Sequence, residues 1–222
     1  MSRPFRLLLL PLLAAASGRT FSNLEANPQL RPVSAAVGIR HAQYAARAAL
    51  EADDLHAPGA CCLVPLSIQD FHNGTIEAMV AGRPQQGARD GARGFIGIAF
   101  RVQSPERYEA FYIRPTNGRA PDQLRRNHAT QYISEPEYPW QRLRSESPGL
   151  YESYADMEPG VWAHLRIEVE GDHARLFVNH APQPVLIVND LKHGAGSRGG
   201  VALWIGSETQ GYFSAVSVRR GD

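Results

Sequence analysis

The sequence predicts an all-β sandwich, and three observations carry that expectation. The stretch from Val161 to Val178, VWAHLRIEVEGDHARLFV, places two alternating apolar runs on either side of a Glu-Gly-Asp turn. That is the pattern of a β-hairpin with one buried face: Leu165, Ile167 and Val169 on one strand match Ala174, Leu176 and Val178 on the other. About a dozen short runs of the same kind, separated by turn residues, follow one another along the chain. None of them alternates with a convincing helix, so a parallel βαβ design is not expected. With 222 residues, of which 43% are hydrophobic, the chain is long enough for one large sandwich with a packed core.

Taken in order, the N-terminus has the features of a secretory leader. Arg3 and Arg6 precede the apolar run LLLLPLLAAA, and small residues follow from Ala14 to Gly18. The run is too short to span a membrane comfortably. Residues 1–18 are therefore expected to be a signal peptide, residues 19–222 a single domain, and the protein secreted or periplasmic. Val33 to Ile39 reads as a first strand. His41 to Ala52, HAQYAARAALEA, is rich enough in alanine for a helix, but it also fits two short strands with Tyr44 and Leu50 inward. We favour strands, because tertiary context often overrides propensity.

Cys61 and Cys62 are the two cysteines of the chain, and they are adjacent. Neighbours on a strand point to opposite faces, so no disulfide framework is expected, and they read as small apolar residues of a strand from Ala60 to Ile68. Further strands are expected at Phe71 to Val80, Gly94 to Val102 and Tyr108 to Arg114, with a polar Gly-rich loop from Arg83 to Arg93. A long segment from Pro115 to Gly160 has one strand candidate, Asn127 to Ile133. After the hairpin come Pro184 to Val188, Gly199 to Ile205 and Gly211 to Val218. Trp162 and Trp204 read as core. Asn73-Gly74-Thr75 is a formal glycosylation sequon, and Asn-Gly is equally a turn.

Charge excludes one class of partner. The formal net charge is +1, and without Arg3 and Arg6 the chain holds 21 basic against 22 acidic residues. A nucleic-acid footprint needs a strong basic bias. Eight histidines are scattered without HxH or HExxH spacing, so no histidine metal centre is expected.

The segments PGVWAHLRIEVEGDHARLFVNHAPQPV and GGVALWIGSETQGYFSAVSV, with FHNGTIEAMVAG and GFIGIAFRVQSPERYEAFYIRP upstream, resemble the concanavalin A-like lectin/glucanase superfamily. Laminin-G-like modules and the domains named for 3-keto-disaccharide hydrolases come nearest. The resemblance covers roughly Leu63 to Val218. It implies a two-sheet antiparallel jelly roll with a concave sheet that carries the ligand groove. It also implies a glycan or glycoside ligand; no cofactor is assigned, but a structural Ca²⁺ is common in that superfamily, and Asp122 or Asn189-Asp190 would serve to hold it. Such residues are more often turn formers.

Three function classes follow: a carbohydrate-binding protein first, a 3-keto-glycoside hydrolase or lyase second, and a laminin-G-like protein-interaction module third. A retaining glucanase needs two carboxylates about 5 Å apart. Glu77 in GTIEAMVAG has Met79 where the partner acid should stand, so that mechanism is rejected. For proton abstraction beside a keto group the candidate bases are Glu77, Glu109 and His128. For binding, Tyr112 and Arg114 alternate onto one face of their strand, and Arg101 ends the strand before it. A ring and a guanidinium suit a sugar's CH face and hydroxyls. The long segment adds Gln131, Tyr132 and Trp140, since extended loops of that size often form binding rims.

Overall fold

In a computed structural model of the chain, which describes residues 37–54 and 62–221, the hairpin forms as its alternation demands. Strands β9 (Ala163–Glu170) and β10 (His173–Val178) pair so that Leu165, Ile167 and Val169 face Val178, Leu176 and Ala174. These six side chains are buried, while the residues between them on β9 are half-exposed. The hairpin belongs to a seven-stranded antiparallel sheet in the order β1-β2-β13-β4-β9-β10-β11. The other members are β1 (Val37–Tyr44), β2 (Arg47–Asp54), β4 (Gly74–Pro84), β11 (Leu186–Val188) and β13 (Thr209–Arg220). A six-stranded sheet packs against it in the order β3-β12-β5-β6-β7-β8. It comprises β3 (Cys62–Pro65), β5 (Ile96–Ser104), β6 (Arg107–Ile113), β7 (Thr130–Glu135), β8 (Glu152–Ser153) and β12 (Gly200–Ile205).

The core lies between the sheets. Ile76, Val80, Leu165, Ile167 and Phe213 from the first meet Ile98, Phe100, Phe111, Tyr132 and Leu203 from the second. The six-stranded sheet is also covered on its other face, where Leu63, Tyr108, Tyr112, Ile133 and Trp204 form a second apolar layer. That double burial explains why GFIGIAF and GVALWI read as continuous apolar runs rather than alternations.

Residues 41–52, open between helix and strands, form the β1–β2 hairpin, closed by the pair Tyr44 and Arg47. Ala45 and Ala46 make the turn with φ of 45° and 61°, the type I′ geometry that matches strand twist. The segment from Pro115 to Gly160 is not one loop around one strand. It contains helices α1 (Pro115–Gly118), α2 (Gln123–Asn127) and α3 (Trp140–Glu146) as well as β7 and β8. Pro115 opens α1, and the Asp122 carboxylate caps α2 by accepting from the Arg125 N–H. Helices of four to seven residues are too short to leave a periodic signal. The expected leader, the start of the expected first strand and Cys61 lie outside the described residues.

Candidate functional site

The second apolar layer is built on one row of side chains that crosses the six-stranded sheet. Register places Trp204 of β12 opposite Gly97 of β5, Gly97 opposite Tyr112 of β6, Tyr112 opposite Gln131 of β7, and Gln131 opposite Glu152 of β8. Gly97 is the pivot. Strands two apart in a sheet are separated by about 10 Å. Yet the Tyr112 and Trp204 rings stack with centroids 4.4 Å apart and planes within 16°. They lean together over the missing side chain. A Cβ on Gly97 would come within 2.6 Å of the Tyr112 Cβ, so no larger residue fits beneath the pair. Phe95 meets Tyr112 edge-on at 6.2 Å, completing an aromatic floor.

Arg114 lies along the polar half of the row. Its Nη2 donates to the Tyr112 hydroxyl at 2.8 Å and to Gln131 Oε1 at 3.0 Å. Its Nη1 donates to the His128 carbonyl at 3.0 Å and to Glu152 Oε1 at 3.2 Å. Burial pushes the Tyr112 phenol above its ordinary value, so it stays neutral beside the guanidinium. Arg144 of α3 reaches the same Glu152 carboxylate, with Nε 2.9 Å from Oε2. Trp140 stands between the two cations: Arg144 lies 4.6 Å and Arg114 6.0 Å from its ring centroid. One carboxylate thus ties α3, the edge strand β8 and the sheet floor together. Leu143 anchors α3 from its buried side, and Trp140 is left 38% exposed.

Floor and helix enclose a pocket of about 650 Å³, with Tyr112, Trp204, Phe95 and Ile133 below, Pro139 and Trp140 on one wall, and Arg89 and Glu208 on the other. That size suits a small ligand or a few sugar units. The Arg89 Nε donates to both Glu208 carboxylate oxygens, at 3.1 and 3.0 Å, which closes the far rim.

The structure brings four of the six expected ligand residues, Tyr112, Arg114, Gln131 and Trp140, into this cluster, and the other two lie elsewhere. Arg114 and Gln131 brace it from below, 5% and 0% exposed. Arg101 and Tyr132 face the opposite side of the sheet, inside the sandwich. Arg101 has φ of 49° at an irregularity in β5, which turns its side chain inward. It is fully buried. It donates to the carbonyls of Gly171 at 2.6 Å, His72 at 3.1 Å and Gly194 at 3.2 Å, and its Nη1 lies 3.5 Å from Glu109 Oε2. The Tyr132 hydroxyl donates to Glu109 Oε1 at 2.5 Å and accepts from the Lys192 N–H at 2.9 Å. Burial drives the Tyr132 phenol well above its ordinary value. These groups hold three loops to the end of the sandwich.

None of the three candidate bases lines the pocket. Glu109 is fully buried in the Arg101 cluster. Glu77 sits on the outer face of the seven-stranded sheet, bound by Arg219 at 2.9 Å and His164 at 3.2 Å. His128 lies 3.6 Å from Glu152 behind the rim. Burial holds its imidazole below the ordinary range, against the pull of Glu152. The residues considered for calcium do not converge. Asp122 caps α2, and Asp190 accepts from the Tyr151 hydroxyl at 2.6 Å and from Lys192 at 2.5 Å. Among the described residues no group of three or more His, Cys, Asp or Glu could hold a metal ion. Nor is any helix among them long and apolar enough to cross a membrane. In the sequon, Asn73 Oδ1 accepts from the Gly171 N–H at 2.9 Å, which is a turn role.

Sequence reasoning passed over Trp204, Phe95, Glu135 and the Arg89–Glu208 pair. Trp204 read as core because GVALWI is apolar on both faces. It is buried, but in the second layer rather than between the sheets. The available signal was Gly97 in the middle of GFIGIAF. A glycine inside a central strand marks a close approach above it.

No protein-family model and no curated protein matches the sequence. Solved structures do share its fold. The chain is similar to the carbohydrate-binding module CBM66 from Bacillus subtilis, with a TM-score of 0.53 and 12% identity over 82% of this chain and 93% of that one. It is equally similar to a Bacillus subtilis protein with a galectin-like fold, at TM-score 0.53 and 9% identity over 86% of this chain and 89% of that one. At such identities the likeness is one of fold: the chain shares with these structures a jelly-roll sandwich of two antiparallel sheets.

Proposed function

We propose that this protein is a carbohydrate-binding jelly roll that takes a glycan into the pocket on the outer face of its six-stranded sheet. The observation that carries the reading is the exposed Trp140 ring, fixed by cations behind it and standing over an aromatic floor with polar rims. A sugar presents CH faces to rings and hydroxyls to amides and charges, and this pocket offers both. The fold shared with a carbohydrate-binding module supports the same reading. Tyr112 and Trp140 contact the ligand, while Arg114 and Gln131 hold the floor. The leader-like residues 1–18 would send the protein to the periplasm or outside the cell.

The test is a thermal-shift and titration screen of the protein against oligosaccharides and 3-keto-glycosides. A bound sugar raises the melting temperature in proportion to the logarithm of its concentration over Kd. Trp140→Ala is expected to weaken binding about tenfold, roughly 1.4 kcal/mol. Because the ring also packs against Arg114 and Arg144, the free variant should melt somewhat lower, so the titration is made well below that temperature, where far-UV circular dichroism shows it folded. Undiminished affinity in that variant would place the ligand elsewhere. Release of product from a keto-sugar would transfer the protein to the hydrolase or lyase class.

A further inference from the structure

The charges around the pocket are unequally balanced. Arg89, Glu135 and Glu208 are the charged side chains that line it, and Arg89 is committed to Glu208 through both carboxylate oxygens. Behind the Trp140 wall, Arg114 and Arg144 converge on Glu152. Glu135 is different. It sits on the outward face of β7 with Gln131 and Ile133, opposite Tyr108 of β6. Among the described residues no cation or hydrogen-bond donor engages its carboxylate. The nearby Arg107 pairs with Glu137 at 2.8 Å, and the His193 ring meets the Glu135 backbone carbonyl at 3.3 Å, not the side chain. Partial burial, and then the neighbouring Glu137 charge, hold the Glu135 carboxyl above its ordinary value, as expected for an acid with no counter-ion.

We propose that Glu135 is the specificity-determining acid of the pocket, accepting hydrogen bonds from hydroxyls of an uncharged sugar and turning away glycans that carry carboxylate or sulfate. This rests on the glycan reading above. The chemistry is direct. A carboxylate has two oxygens that accept without donating, which suits a vicinal pair of hydroxyls. Hydrogen bonds to a charged acceptor are about twice as strong as neutral ones. A second anion brought against the same group is opposed by like charge in a half-desolvated site.

The experiment titrates wild type and Glu135→Gln with neutral oligosaccharides and with the matching oligouronates of the same linkage. Wild type is expected to bind the neutral member at least about tenfold more tightly. Glu135→Gln should close that gap from both sides, weaker for the neutral sugar and stronger for the uronate. Far-UV circular dichroism confirms that the variant is folded. Equal affinity for both sugars in wild type, or an unchanged gap in Glu135→Gln, overturns the role of Glu135 and leaves glycan binding standing. Failure of every sugar to bind overturns the glycan reading itself, and this inference with it.

Discussion

Arg101 shows how one side chain settles a loop constellation that alternation alone leaves open. Its strand position predicted a ligand contact, but the positive φ of β5 at that point turns the guanidinium into the sandwich, where it spans three carbonyls and Glu109. Burial lowers its proton affinity, and Glu109 opposes that shift. Removing one member of a buried ion pair strands the other, at about 3–5 kcal/mol. Arg101→Met should therefore lower the urea unfolding free energy by that order, and adding Glu109→Gln should recover part of it. A neutral effect of the single substitution would mean that the pair is dispensable. At this scale the sequence made Tyr112, Arg114 and Trp140 legible, because alternation and aromatic-Arg composition are local signals. It concealed Glu135, whose lack of a counter-ion depends on what the fold brings near it.

The β1–β2 hairpin illustrates the element scale. Its composition favours helix, and its turn carries none of the Asn or Gly residues that announce a type I′ bend. The strands form because register against β13 buries Leu50 and Ala52. The turn follows at a cost, since left-handed backbone disfavours alanine by about 1–2 kcal/mol. Ala46→Gly should relieve part of that strain and stabilise the protein by about 0.5–1 kcal/mol, read from its chemical denaturation midpoint. A decrease would mean that glycine's unfolded-state entropy outweighs the strain. The β9–β10 hairpin is the opposite case. Gly171, with φ of 58°, and strict alternation agree with the structure, and there the reading was complete. The three short helices after Pro115 were missed, because at four to seven residues they leave no periodic signal, and only α2 has a side-chain cap, from Asp122.

The whole molecule has one core shared by both sheets, so neither sheet can lose its packing without the other. Unfolding should be a single cooperative step. Fluorescence is well placed to test this. Trp204 and Trp140 report on the six-stranded sheet and its rim, and Trp162, which meets Tyr44 edge-on at 5.7 Å, reports on the seven-stranded sheet. Their signal and far-UV circular dichroism should give superimposable denaturation curves. Separated midpoints would show that one sheet unfolds first. The fold class and most strands were legible because burial imposes a period of two. The pocket was not, because it depends on which of two apolar faces receives a covering segment, and that is decided by cross-strand rows and by Glu152.

The shared carboxylate of Glu152 also bears on how fast a ligand would arrive and leave. Arg114, Arg144 and the edge strand hold α3 against the sheet through contacts within the chain itself. No lid has to be recruited and no helix ordered on encounter. Association would then resemble entry into a preset receptacle, with a single kinetic phase, and differences among sugars would appear in their residence times rather than in their capture rates.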